Sequence, residues 1–211
     1  MQDDYTSKVS PKNKLISEIY DWIENLVLAV VAVVFVFVFI ARLSIVSGAS
    51  MERTLQDKDY LVVSNPFFTY DPEAGDIVVI HTDKYSEPLV KRVIATEGQE
   101  IIIKYCADLG SMGGTLYDIY VDGVLLDEEY AFYDDRLPFI EPSGEVMEIH
   151  RVGNISTAKA TVPEGCVFVL GDNRNNSKDS RSGQVGFINE NFILGKCVFR
   201  ILPAQKFGSL K

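Results

Sequence analysis

At 211 residues, 47% hydrophobic and 24% charged, the chain carries enough apolar material for one sizeable core or a main domain with a small insert, which excludes a disordered tail. Its net charge of -10 and sequence pI near 4.7 exclude nucleic acid as the expected partner, because the basic residues are scattered with no run of five. Three cysteines (Cys106, Cys166, Cys197) lack C-x-x-C spacing, and the two histidines, His81 and His150, have no cysteine or carboxylate at metal-ligand spacing. No metal or other cofactor is expected, nor a full disulfide framework, nor a histidine-based serine triad.

Residues 1–25 are polar and mixed in charge, with Ile16, Ile19, Tyr20 and Ile23 at helical spacing, which predicts a short amphipathic lead-in helix with Trp22 at an interface. Sixteen uncharged apolar residues follow from Leu26 to Ala41, continued past Arg42 by Leu43, Ile45 and Val46. About 20 such residues cross about 30 Å of hydrocarbon. With Arg42 reaching for the headgroups, residues 26–46 are expected to form a single transmembrane helix in a lipid bilayer. The competing reading is a cleaved signal peptide, since Ser47-Gly48-Ala49 offers small residues before Ser50. Five acids in the long leading region and an apolar core beyond the usual 7 to 15 residues weigh against it. Basic residues flank the span on both sides, so charge alone leaves its orientation open.

Beyond Leu55 the pattern changes to short β-like runs punctuated by glycine, proline and aspartate. Strands are predicted at Tyr60 to Val63, Asp76 to Ile80, Pro88 to Ile94, Glu100 to Lys104, Asp118 to Val121, Val146 to His150, Cys166 to Leu170 and Lys196 to Ile201. Asp122-Gly123 reads as a hairpin turn. The expected fold is mostly β: an N-terminal transmembrane helix, then a β-rich domain over 47–211 with a smaller inserted β subdomain at 105–161. That insert includes a Tyr/Asp-rich run from Glu128 to Arg136 and carries no motif with an assignable chemistry.

Three stretches can carry chemistry. Ser47-Gly48-Ala49-Ser50-Met51-Glu52-Arg53-Thr54-Leu55 places Ser50 just after the span, and a serine hydroxyl needs a base before it becomes a good nucleophile. Lys91 lies in Leu89-Val90-Lys91-Arg92-Val93-Ile94, where alternation puts Leu89, Lys91 and Val93 on one face and Arg92 on the other. An unperturbed lysine is neutral in only about one molecule in 2,500 at pH 7, so a useful base requires burial that disfavours the ammonium by roughly 3.3 kcal/mol. Spacing alone favours an amphipathic strand-edge lysine in water. Gly171-Asp172-Asn173-Arg174-Asn175-Asn176-Ser177-Lys178-Asp179-Ser180-Arg181 is dense in groups that must bond to one another and to nearby backbone.

Ser50-Met51 with Thr54-Leu55, then Gly75-Asp76-Ile77-Val78, then Lys91-Arg92-Val93-Ile94, then the Gly171 to Arg181 loop resemble, in order and spacing, the boxes of bacterial type I signal peptidases of the short Gram-positive type. The resemblance extends to the single membrane helix and to Gly195-Lys196-Cys197-Val198-Phe199-Arg200. It implies a membrane-held serine endopeptidase that removes N-terminal signal peptides from secreted precursor proteins, after small residues at -1 and -3. The catalytic domain would stand on the extracytoplasmic side of the cytoplasmic membrane, with residues 1–25 in the cytoplasm. Ser50 would be the nucleophile and Lys91 the general base, with Ser177 orienting the lysine. Asp172 with Arg92 and Asp179 with Arg181 would be ion pairs framing the site. The Ser50 backbone N-H would serve the oxyanion, because Gly48 stands where some members carry a hydroxyl donor. Val46, Leu55, Leu89 and Val90 would line shallow substrate pockets. Two departures stand out: Arg53 replaces the usual proline before Thr54, and Thr96-Glu97-Gly98-Gln99 replaces the usual L-P-G-D. Restoring proline at position 53 is expected to be tolerated, as a φ restraint regained. The alternative function is a catalytically idle relative assisting surface-protein or pilus assembly, which would have no reason to keep both Ser50 and Lys91. A soluble self-cleaving repressor-type protease shares the chemistry but has no use for the apolar span.

Overall fold

The computed structural model describes residues 11–65, 70–106, 117–134, 137, 140–153 and 155–210. The chain divides between Ala41 and Arg42 into two compact units.

The first unit is a helix, α1 (Pro11–Phe35), closed by a π-helical turn at Val36–Ile40. The lead-in helix and the span expected as separate elements are continuous, since neither glycine nor proline interrupts the run from Lys12 to Phe35. The apolar stretch Leu15–Ile40 has mean hydropathy 2.8 and is exposed along its length. Its 26 residues reach about 39 Å as a helix, enough for a bilayer core. The helix ends at Ile40 and not at Val46 as expected: Ala41 turns extended (φ -147°, ψ 149°), and Ala41–Ile45 forms strand β1. Arg42 and Ser44 interrupt the continuous apolarity there, and the alternation they create suits a strand better than a lipid-facing helix.

The second unit is built from β2 (Tyr60–Ser64), β3 (Ile77–Thr82), β4 (Tyr85–Ala95), β5 (Glu100–Cys106), β6 (Tyr117–Val121), β7 (Val124–Leu125), β8 (Glu148–Val152), β9 (Ile155–Thr161), β10 (Cys166–Leu170), β11 (Ile188–Asn189), β12 (Ile193–Leu202) and β13 (Gly208–Ser209). All eight predicted strands are present, and the remaining helical pieces among the described residues are two single 3-10 turns. A large antiparallel sheet runs β1-β2-β12-β3-β4-β10-β11, with β13 on β12. A second sheet runs β7-β6-β5-β9-β8. Because β5 pairs with β9 from Glu100↔Thr161 to Cys106↔Ile155, the small sheet takes in Glu100 to Lys104 as well as the predicted 105–161 insert. Its β6-β7 hairpin turns at Asp122 and Gly123, both with positive φ.

Register places the site. Strand β4 lies between β3 and β10, with Val78↔Lys91 and Ile77↔Arg92 on one side and Leu170↔Arg92 on the other. Leu89 and Val93 pack with Val78, Ile80, Val167 and Val169 on one face of the large sheet. Val90 packs with Val46, Met51, Leu55, Ile77 and Val79 on the other. A third cluster joins the sheets through Ile94, Ile101, Ile103, Phe168 and Leu170. Each fully buried branched side chain contributes about 1.5–3 kcal/mol, so β4 is anchored on both faces around Lys91. His81 is half-buried on β3 and His150 is exposed on β8.

Candidate active site

The turn carrying Ser50 is closed by backbone pairing at its base. Val46 N-H donates to Asp59 O (2.9 Å), and Lys58 N-H donates to Val46 O (2.9 Å). Gly48 takes φ +90°, which favours glycine, and its N-H donates to the Asp57 carboxylate at 3.0 Å. From Met51 the chain makes one helical turn, with Leu55 N-H donating to Met51 O at 2.7 Å. Met51 and Leu55 are thereby both driven into the core, which fixes Ser50 at the rim.

Lys91 is 1% exposed, and its Nζ lies 2.7 Å from Ser50 Oγ and 2.9 Å from the Val90 carbonyl. Burial lowers its pKa to about 8; the carboxylates of Asp179 and Asp172 oppose the shift and the Arg181 guanidinium adds to it. At pH 7 the neutral amine is then about one molecule in eleven.

Arg92 leaves the strand on the other side. Its Nε and Nη2 grip the two oxygens of Asp172 at 2.9 and 2.8 Å, both side chains being buried, and its Nη1 donates to Gly75 O at 2.8 Å. Thr54 Oγ1 donates to the same carboxylate at 2.5 Å, so the Ser50 turn, the Gly75 turn and the Gly171 to Arg181 loop meet at one ion pair. A buried pair in this bidentate form is specific in geometry more than it is stabilising. Asp179 is gripped likewise by Arg181, at 2.8 Å through Nε and 2.8 Å through Nη2, and accepts from Gly171 N-H at 3.1 Å. Burial alone would raise the Asp179 pKa, but Arg181 and these hydrogen bonds hold it below the usual carboxylate range. Ser177 Oγ is buried, makes no hydrogen bond of full geometry, and sits close enough to Asp179 to help hold that carboxyl down. Lys91 Nζ is not among its partners.

Several residues that sequence reasoning left without a role prove central. Asn173, wholly buried, donates its backbone N-H to Ser50 O (3.0 Å) and its Nδ2 to Ala49 O (3.1 Å). Arg174, also wholly buried, donates to both oxygens of Glu128 (2.6 Å through Nη1) and to Gly171 O at 3.2 Å. Asn175 holds Asp134 on both its N-H and carbonyl, each at 2.8 Å. The Tyr/Asp-rich run therefore lies against the loop: Tyr130 stacks on Arg92 (4.0 Å), and Phe132 forms a parallel bridge with Asn173. Its density of aromatic and acidic groups, opposite a loop rich in arginine, was the signal available.

Arg53 overturns one expectation. It adopts φ +77°, with its guanidinium 4.4 Å from the Phe132 ring centroid. Proline is locked near -65°, so Arg53→Pro would break this turn and is not the restored restraint expected from the sequence.

Beside Ser50 and Lys91 opens a cavity of about 210 Å³, lined by Val46, Leu89 and Val90 together with Ser44, Ser47 and Glu87. Leu55 does not line it and lies buried in the core with Val46. Among the described residues, no three histidine, cysteine or carboxylate groups are placed to hold a metal.

The family model for signal peptidases, described as "Signal peptidase, peptidase S26", matches residues 19–202. The chain is 32% identical over 191 residues to signal peptidase IB of Staphylococcus aureus (strain COL), covering 90% of this chain and 93% of that one. It is 32% identical over 199 residues to the probable signal peptidase I-1 of Synechocystis, covering 89% and 86%. A crystal structure of a signal peptidase I from Enterococcus faecalis aligns at 27% identity over 60% of this chain and 97% of that one, with TM-score 0.39. The family match over residues 19–202, with 32% identity over 90% of the chain to signal peptidase IB, makes the chain a member of the signal peptidase family, peptidase S26, and a signal peptidase I.

Proposed function

We propose that the chain removes signal peptides with a Ser50/Lys91 dyad, cleaving after small residues at -1 and -3 of membrane-inserted precursors on the extracytoplasmic side. The observation that carries the dyad is the 2.7 Å approach of a buried Lys91 Nζ, of lowered pKa, to Ser50 Oγ. Lys91 takes the hydroxyl proton as Oγ bonds to the scissile carbonyl carbon. The resulting oxyanion is met by the Ser50 backbone N-H, Gly48 offering no hydroxyl. As the C-N bond breaks, the Lys91 ammonium gives its proton to the leaving amine. Water, deprotonated by the regenerated amine, then releases the signal peptide from the Ser50 ester. Arg92 with Asp172 and Asp179 with Arg181 fix the loop around the dyad, and Ser177 lies beside the Asp179 carboxylate of that frame.

The test is cleavage of a labelled precursor by purified protein in detergent, with the cut mapped by mass. Ser50→Ala and Lys91→Ala should each abolish cleavage, and the double variant should be no worse than either, since both remove half of one proton transfer. Full activity of Lys91→Ala would refute the dyad.

A further inference from the structure

Arg53 stands three residues past Ser50 at φ +77°, where a β-carbon is strained and glycine would sit freely. Such strain persists beside a reacting group only where surrounding contacts over-determine it. Here the contact is the ring of Phe132, 4.4 Å from the guanidinium carbon. The backbone of Phe132 brackets Asn173: its N-H donates to Asp172 O and its carbonyl accepts from Arg174 N-H, each at 2.7 Å. Asn173 in turn holds the carbonyls of Ser50 at 3.0 Å and Ala49 at 3.1 Å. The contacts close a ring running from Ser50 through Asn173, Phe132 and Arg53 and back along the chain to Ser50.

We propose that the Arg53-Phe132 stack is a positioning contact for catalysis, through which Phe132, bonded to the Gly171 to Arg181 loop, fixes the peptide plane of Ser50. The inference rests on Ser50 being the nucleophile. Neither Arg53 nor Phe132 touches the reacting atoms; they act by holding the turn from its two ends, Asn173 at the Ser50 carbonyl and Phe132 at the Arg53 side chain. Loosening the ring leaves the dyad intact and lets Ser50 Oγ and its own N-H drift from the geometry the oxyanion needs.

The experiment measures kcat, KM and Tm of the full chain in detergent for Arg53→Gly, Phe132→Leu, their double variant, Phe132→Tyr and Arg53→Lys, with Ser50→Ala alongside. Glycine accepts φ +77° without strain, so Arg53→Gly should hold or raise Tm while kcat falls about tenfold with KM little changed. Phe132→Leu should lose a similar factor, and the double variant should be no slower than either single, because one contact is removed twice. Phe132→Tyr, which keeps the ring, should retain most of the rate. Wild-type kcat in Arg53→Gly, losses that multiply in the double variant, or a Phe132→Tyr as slow as Phe132→Leu would each overturn the inference. Should Phe132→Leu fail to fold, Arg53→Lys against Arg53→Gly decides: lysine keeps a cation over the ring and should be the faster, and equal rates would overturn the stack. Cleavage by Ser50→Ala would remove the nucleophile assignment itself, whereas a dead Ser50→Ala beside an unimpaired Arg53→Gly would remove this inference alone.

Discussion

Gly171 and Ser50 are packed backbone to backbone: a β-carbon on Gly171 would stand 2.5 Å from the Ser50 carbonyl oxygen and equally close to the β-carbon of Ser177. Main chain cannot yield as a flexible side chain can, so any residue but glycine here must push the Ser50 turn or the loop aside. We expect Gly171→Ala to lower kcat by about 100-fold, the scale of a misplacement near 1 Å, with an overpacking loss of about 1–3 kcal/mol in stability. Kinetics of the soluble fraction, with Tm as the companion measurement, check it. An unchanged kcat would mean the turn has slack that the packing denies.

The lowered pKa of Lys91 fixes the shape of the pH profile. In the proposed dyad the neutral amine is the working form, so kcat/KM should climb with pH through a pKa near 8 and then level, far below the range of an exposed lysine. Ser177→Ala should slow the enzyme less than loss of either dyad residue, because its hydroxyl lies beside Asp179 and the loop and transfers no proton. A rate flat from pH 6 to 10 would contradict a titrating lysine.

The same burial carries a stability cost with a definite sign. The unfolded lysine titrates near 10.5 and the folded one near 8, so between those values the unfolded chain binds more protons. The cost is absent above about pH 10.5, grows as pH falls, and is complete below about 8. Lys91→Met should be inactive yet more stable at pH 7, by about 1–3 kcal/mol after repacking is allowed for. The gain should shrink towards pH 10.5. Chemical denaturation at two pH values tests it, and a gain that is larger at the alkaline end would refute the burial account.

How much of this was legible in the sequence depended on the range of the interaction. The eight predicted strands carry local signals, apolar runs bounded by turn residues, and β4 displays in its alternation why Lys91 and Arg92 part company. Strand β9, Ile-Ser-Thr-Ala-Lys-Ala-Thr, was not foreseen, because its small and polar residues gain their strand character only from pairing with β5 and β8. The two-residue stubs β7, β11 and β13 are too short to leave a period. The helical run of α1 and its π-helical turn ends at Ile40, and the five following residues, Ala41–Ile45, that resembled membrane sequence are edge strand. The ties of Glu128 and Phe132 to the loop, and of Tyr130 to Arg92 on β4, span some 40 residues and have no local pattern. Arg53 is the sharpest case: it takes φ +77° in contact with Phe132, which no spacing rule reports.

Substrate choice and anchoring can be tested together. Val46, Leu89 and Val90 bound a cavity of about 210 Å³ beside Ser50, open enough for a small side chain and walled by residues fixed in the core or in strand β4. Overfilling such a site costs of order 1–3 kcal/mol, or roughly 5- to 150-fold in rate, so alanine at -1 should be cut and leucine refused by about that factor. The proposed role of the apolar helix is separate: it would keep the enzyme in the same plane as a membrane-inserted precursor. Its removal must spare β1, which joins β2 in the large sheet, so the proper truncation deletes residues 1–40 and not residues beyond Ala41. That variant should keep its rate on short soluble peptides and lose rate on precursors in vesicles, the gain in effective concentration being lost with the helix. Both forms are to be assayed on both substrates, each with alanine or leucine at -1. Equal cutting of the two residues would refute the cavity's role, and an unchanged precursor-to-peptide ratio would refute that of the anchor.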